Sequence, residues 1–229
     1  MMKNFIVLVA SMLMTLSALA QNNYLFPSEG KTLVYKAEVS STAQPAANQT
    51  MYSTVKVDKI TSDSVLVSTD TYSDEDLTTK VASQSIRYTI EDGFYISHMD
   101  EIMKDNLKQF TNVKVVGGET ESKYPMNPKV GDSVDQLAMD IQGDMMGNAY
   151  TINYSVNASS FEQADNVETE MGEYDCLLLR QNSVVAVMGQ ENKSMASTYY
   201  SIGVGVVKVE TSMNGGMVKL SSELIRIID

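Results

Sequence analysis

The chain has 229 residues, with 17 Lys and Arg against 29 Asp and Glu, for a net charge of −12. That balance argues against nucleic acid or an anionic membrane face as a partner, because both require clustered basic side chains. One cysteine excludes an intramolecular disulfide, and one histidine excludes two-histidine zinc motifs.

Met1-Met2-Lys3-Asn4 gives a short positive start, and Phe5 to Ala20 is an almost wholly apolar run ending in Ala18-Leu19-Ala20. Small residues at that spacing, followed by Gln21, predict a secretory signal peptide over 1–20. The remaining 21–229 is expected to be a single β-rich domain, periplasmic or extracellular. Only Lys3 flanks the run and no basic stop follows it, so no transmembrane anchor is expected after cleavage. Gln21 stands where a lipoprotein carries Cys, so no lipid anchor is expected.

Beyond the leader, alternation with a period of two dominates. Strands are predicted at 32–39, 51–60, 64–72, 81–90, 94–97 and 112–116 in the first half. The second half continues at 134–141, 150–156, 160–168, 174–188, 195–202, 206–213 and 218–228. Within one of these, Tyr150, Ile152, Tyr154 and Val156 fall on one face and Thr151, Asn153, Ser155 and Asn157 on the other. Turns such as Asp92-Gly93 and Asn214-Gly215-Gly216 are too short for parallel crossovers, so antiparallel neighbours are expected. The fold class is therefore all-β and mainly antiparallel: a curved sheet, closed or half-closed barrel, or two-sheet clam of about a dozen strands.

One segment departs from this pattern. Met99 to Phe110 places Met99, Ile102, Met103, Leu107 and Phe110 near one helical face, with acids leading and lysines following, as the helix dipole favours. It is read as one amphipathic helix plugging or flanking the sheet.

Two patterns recur about half a chain apart. Pro27-Ser28-Glu29-Gly30-Lys31-Thr32-Leu33 matches Pro128-Lys129-Val130-Gly131-Asp132-Ser133-Val134. Tyr88-Thr89-Ile90-Glu91-Asp92-Gly93-Phe94 matches Tyr200-Ser201-Ile202-Gly203-Val204-Gly205-Val206. Both a chance recurrence of strand-turn idioms and two repeated β-meanders, over 24–123 and 124–229 with the loop 124–133 between them, are compatible with this.

The residues that could carry chemistry are sparse. His98 lies just before the helix, where a capping or surface role outweighs catalysis. Gly131-Asp132-Ser133 lacks a downstream histidine to serve as base. Asp74-Glu75-Asp76 lacks the spaced acids and glycine of a calcium loop and reads as a solvated turn. Gly203-x-Gly205 precedes a strand rather than a helix, which excludes a nucleotide loop. Cys176, in the strand-like run Tyr174 to Leu179, is expected to be a buried, inert thiol. No cofactor and no metal are expected. Methionine is abundant, and Met139, Met145 and Met146 sit around an expected hairpin at Gln142-Gly143-Asp144. Flexible thioethers suit irregular apolar surfaces, in a core or against a ligand.

Several runs resemble the TapB-like family of secreted Bacteroidota proteins, a domain of unknown function. They are Phe26 to Tyr35, Asp92 to Ile96, Pro128 to Asp132 and Glu173-Tyr174-Asp175-Cys176. The strongest is Tyr199-Tyr200-Ser201-Ile202-Gly203-Val204-Gly205-Val206-Val207-Lys208, where Tyr199 replaces a usual Trp. The resemblance implies an exported β-rich fold whose signature positions here are Gly30, Gly93, Gly131, Cys176, Tyr199, Tyr200, Gly203 and Gly205. It carries over no catalytic residues.

Two functions fit these observations. The first is a non-catalytic, monomeric envelope protein that holds a hydrophobic or lipid-like ligand, lined by Met99, Ile102, Met103, Leu107, Phe110, Met139, Met145 and Met146. The second is a protein–protein interaction module of the envelope, using a sheet edge or an acidic face. With one histidine and no nucleophile–base pair, a hydrolase is the least supported reading.

Overall fold

The computed structural model describes residues 25–42, 45, 48–106, 111–145, 148–187 and 189–229. Leu107, Phe110 and Met146 lie outside them, as do the leader and the predicted cleavage point, and of Met145 only the backbone is described. Among the described residues, fifteen strands form one antiparallel sheet. The first five are β1 (Thr32–Ser41), β2 (Gln49–Ile60), β3 (Ser64–Tyr72), β4 (Lys80–Glu91) and β5 (Phe94–His98). A helix, α1 (Met99–Asn106), follows, then β6 (Thr111–Gly118), β7 (Glu121–Pro125), β8 (Ser133–Val134), β9 (Leu137–Met145) and β10 (Asn148–Val156). The chain ends with β11 (Ser159–Thr169), β12 (Gly172–Val187), β13 (Gln190–Ser201), β14 (Gly205–Met213) and β15 (Val218–Ile228).

The spatial order is β6-β9-β10-β12-β13-β14-β15-β1-β2-β3-β4-β5-β7, with β11 beside β12 and β8 beside β11. The first and last long strands pair along their length, from Thr32 opposite Ile228 to Ser41 opposite Val218. This joins the meander β1 to β5 to the meander β12 to β15. Register follows the alternation: Leu33, Tyr35, Ala37 and Val39 point inward on β1, while Lys36, Glu38 and Ser40 point outward.

The sheet curls. Side chains from β3, β4 and β5 share one apolar cluster with side chains from β9, β10 and β12, although many strands separate them in the sheet order. The two edge strands of that order, β6 and β7, are joined in sequence by Glu119-Thr120 alone. Glu119 N–H donates to the Ala138 carbonyl on β9 (2.8 Å), and Met99 N–H donates to the Thr120 carbonyl (2.7 Å). One connection is therefore tied to both edges and to the start of α1. The sheet remains an open path, and this connection bridges its seam.

Three local expectations are corrected. The stretch 124–133 was expected to be loop, but Glu121-Ser122-Lys123-Tyr124-Pro125 forms β7, paired with β5 with Tyr95 opposite Tyr124. Its polar composition and terminal proline hide it, yet a proline at a strand end on an edge costs no ladder bond. The stretch 134–141 divides into β8 and β9. Gln142-Gly143-Asp144 is not a turn: Gly143 pairs with Tyr150, and the hairpin closes beyond Met145 opposite Asn148.

The recurring patterns differ in geometry. The two Pro-x-x-Gly turns form the same bond, Lys31 N–H to Ser28 carbonyl (3.1 Å) and Asp132 N–H to Lys129 carbonyl (3.0 Å). In the other pair, Asp92-Gly93 is a two-residue hairpin loop between Glu91 and Phe94. Ile202-Gly203-Val204, by contrast, fills the loop between Ser201 and Gly205. Gly205 opens a strand, and a Cβ there would stand 3.2 Å from the backbone carbon of Phe26.

Gly118 carries the tightest approach. Its φ is +90°, and a Cβ would stand 2.0 Å from the Ala138 oxygen and 2.7 Å from the Met139 Cα, both backbone atoms that cannot swing aside. Gly93 also has positive φ (+82°) but nothing within 4 Å. Gly93→Ala is expected to cost about 1 kcal/mol from backbone strain alone. Gly118→Ala is expected to cost several-fold more in urea melts, or to abolish folding; equal melts for the two variants would contradict the seam geometry.

Candidate functional site

The inner face of the curled sheet is the candidate site. Tyrosines from separate strands meet there: Tyr35 on β1, Tyr88 on β4, Tyr95 on β5, Tyr124 on β7, Tyr154 on β10 and Tyr200 on β13, all buried in one cluster. Each is placed by strand alternation, which turns every second side chain inward. Phe26, on the segment entering β1, packs edge-on against Tyr88 (5.6 Å, 65°) and Tyr95 (4.9 Å, 76°). Phe161 on β11 lies 5.9 Å from Tyr200. Edge-to-face contacts of this kind stabilise aromatic pairs beyond the area they bury.

The helix completes the enclosure. Met99, Ile102 and Met103 of α1 are buried in this same cluster, as is Met139 of β9. Four of the eight ligand-lining residues expected from sequence are thus brought together; the other four include Leu107, Phe110 and Met146, outside the described residues, and Met145, whose side chain is not described.

The hydroxyls are where this interior is unusual. Tyr35 Oη donates to the Val206 carbonyl at 2.7 Å, meeting a group on a stretch of β14 that precedes its first pairing with β15. Tyr124 Oη is different. It is enclosed, with the residue only 1% exposed, and completes no hydrogen bond among the described residues. The Ser122 and Gln181 side chains stand near enough to temper the burial that raises its pKa. Burial also holds the Tyr35, Tyr88, Tyr154 and Tyr200 hydroxyls far above the usual phenol range, with the Tyr124 oxygen adding to the rise for Tyr88, Tyr154 and Tyr200. Among the described residues, the buried polar side chains outside this aromatic set are serines and threonines, and no charged side chain is buried.

The positions that carry the sequence resemblance lie in the frame. Gly30, Gly93, Gly131 and Gly203 occupy turns with positive φ. Tyr200 is in the cluster, and the Tyr199 hydroxyl donates to Glu210 at 3.2 Å. Cys176 is buried, and burial followed by the nearby Asp175 carboxylate pushes its thiol up to about 12. His98 shares a 2.9 Å hydrogen bond with the Thr89 hydroxyl. Asp74 accepts from the Thr78 and Thr79 amides (2.9 and 2.8 Å) and so closes its own turn. Among the described residues no group of three or more His, Cys, Asp or Glu could hold a metal.

Two open grooves of mixed lining mark the surface. One, of about 440 Å³, is lined by Glu38, Met195, Ser197, Glu210, Lys219 and Leu220; the other, of about 370 Å³, by Met139, Asp140, Asn153, Tyr154, Ala186 and Glu191.

Sequence reasoning placed Met99, Ile102, Met103 and Met139 but did not put Tyr35, Tyr88, Tyr95, Tyr124 or Tyr154 among the site residues. A signal existed: twelve tyrosines, no tryptophan, and tyrosine at inward positions of several alternating runs.

These hydroxyls and the thiol set an alkaline limit. Their folded pKa values are raised, so the folded protein keeps protons that the unfolded chain releases. Stability is fully present below the unfolded values, near 9 for Cys and 10 for Tyr, and falls as pH rises above them. In a titration followed at 295 nm, the buried tyrosines are expected to ionise only together with unfolding. Thiol reagent should label Cys176 only after denaturation. Reversible ionisation of every tyrosine in the folded state near pH 10, or fast native labelling, would contradict this burial.

The fold has solved counterparts. A candidate lipoprotein from Parabacteroides distasonis superposes with a TM-score of 0.61 at 17% identity, covering 90% of this chain and 99% of that one. A candidate exported protein with a YmcC-like fold from Bacteroides fragilis gives 0.54 at 17% identity, covering 90% and 100%. At such identity the likeness shows the fold. No curated protein matches the sequence. The sequence matches a family of unknown function described as DUF3108-like, rather than under the TapB-like name its motifs resemble, over residues 28–224. By the extent of that match, the chain belongs to the DUF3108-like family.

Proposed function

We propose that this protein is exported and, without catalysing a reaction, holds an apolar ligand between the inner face of its curled sheet and α1. The observation that carries the reading is the position of the helix. α1 lies between β5 and β6, at the seam of an open sheet, and turns Met99, Ile102 and Met103 into the apolar interior. A short helix seated in a seam can move without breaking a strand ladder. Methionines at that contact adapt to a guest at little cost. Export is supported by the leader pattern of residues 1–20 and by structural counterparts described as exported or lipoprotein candidates. Among the described residues no helix is long and apolar enough to cross a membrane.

The test uses protein recovered after export, whose first residue is expected to be Gln21. N-Phenyl-1-naphthylamine, a neutral apolar fluorophore, is expected to bind saturably at about one site with micromolar affinity. Met103→Glu should weaken that binding; Met103→Ala, which removes volume but adds no charge, should keep it and so separates an effect on the site from loss of fold. Absence of saturable binding to folded protein would overturn the reading.

A further inference from the structure

We infer that the hydroxyls of Tyr88, Tyr124, Tyr154 and Tyr200, with the Gln181 amide, form the polar end of the interior site and receive the ester group of a neutral lipid. This rests on the ligand-holding reading above and names the class of ligand.

The four tyrosines come from β4, β7, β10 and β13, so only the curled sheet brings them together. Tyr154, on β10, lies near one end of the sheet order, and Tyr124, on β7, at the other. All four are buried in one cluster, and Tyr124 adds to the raised pKa of each of the others. One donor there completes no hydrogen bond among the described residues: Tyr124 Oη is buried, with the Ser122 and Gln181 side chains beside it. Buried hydroxyls are almost always paired, by protein, ligand or water. Tyr35 shows the paired arrangement in this same interior, its hydroxyl on the Val206 carbonyl.

The donor set selects the guest. The Tyr124 hydroxyl, kept protonated by burial, offers a hydrogen, and the glutamine amide offers both a donor and an acceptor. No Lys, Arg or His is buried among the described residues. A carboxylate or phosphate brought here would lose its hydration without gaining a cation, which is strongly unfavourable. An ester carbonyl takes these hydrogen bonds without that penalty, and the apolar cluster around it accepts an acyl chain. The structure thus favours an acylglycerol over a free fatty acid.

Tyrosine emission reports binding directly, because the chain has no tryptophan. The exported protein is titrated with 1-monooleoylglycerol, with oleate at pH 8 and with 1-octadecene. The glyceride is expected to bind at least about tenfold more tightly than oleate. Tyr124→Phe, which removes one oxygen and keeps the ring, is expected to weaken glyceride binding about tenfold while leaving octadecene unchanged. Gln181→Leu should act in the same direction. Oleate binding as tightly as the glyceride would overturn the inference. So would Tyr124→Phe and Gln181→Leu both binding the glyceride as the native protein does, which would leave the pocket to a buried water. Octadecene binding without preference for the glyceride would retain the ligand-holding reading and overturn this one. Failure of all three probes to bind folded protein would overturn the ligand-holding reading itself.

Discussion

The arrangement depends on one close approach, that of Gly118 to the backbone of Ala138 and Met139. An open sheet of this length has two edges, and exposed edges invite pairing with other chains. Here the edges β6 and β7 are consecutive in sequence, separated by Glu119-Thr120. Where that short link begins, β6 ends against β9 at a distance no side chain permits: a Cβ at Gly118 would meet the Ala138 oxygen at 2.0 Å. Gly118 meets that requirement. The Glu119 and Met99 hydrogen bonds then fix the link to β9 and to the helix.

From this constraint the interior follows. Drawing β7 toward β6 turns Tyr124 toward residues that the sheet order places far away, including Tyr154 and Tyr200. The helix α1 follows the short strand β5 and adds Met99, Ile102 and Met103 to the same cluster. The N-terminal segment contributes Phe26, whose backbone passes over Gly205 at the β13–β14 turn. The result is an apolar enclosure with hydroxyls inside it and one helix at its seam. An interior built only for stability would gain from phenylalanine at Tyr124, because a buried hydroxyl without a partner is destabilising by about 1–3 kcal/mol. Retaining the oxygen there is understandable if something accepts its hydrogen.

Much of the frame was legible in the sequence because alternation is a local signal. The segment 64–72 was read with the bounds it has as β3, and α1 begins at the Met99 expected of it. Of the face read as Tyr150, Ile152, Tyr154 and Val156, the last three are buried and Tyr150 is half-buried. What escaped was non-local. Glu121-Ser122-Lys123-Tyr124-Pro125 has one inward aromatic and no apolar run, so only pairing with β5 makes it a strand. Gly143 has the look of a turn glycine but is held in β9 by its partner Tyr150. The convergence of Tyr88, Tyr124, Tyr154 and Tyr200 depends on the curl, which no window of residues encodes. The methionine and isoleucine face of α1 was found because a helix face is local; the tyrosines it meets were not.

The claim that the seam admits a ligand to this interior is tested most directly by amide hydrogen exchange, with and without 1-monooleoylglycerol. Exchange in α1 and β7 is expected to slow together on binding, while β2 and β3, away from the seam, stay unchanged. Saturable binding that leaves α1 and β7 unprotected, or that protects only the outer face around Glu38 and Glu210, would contradict the account.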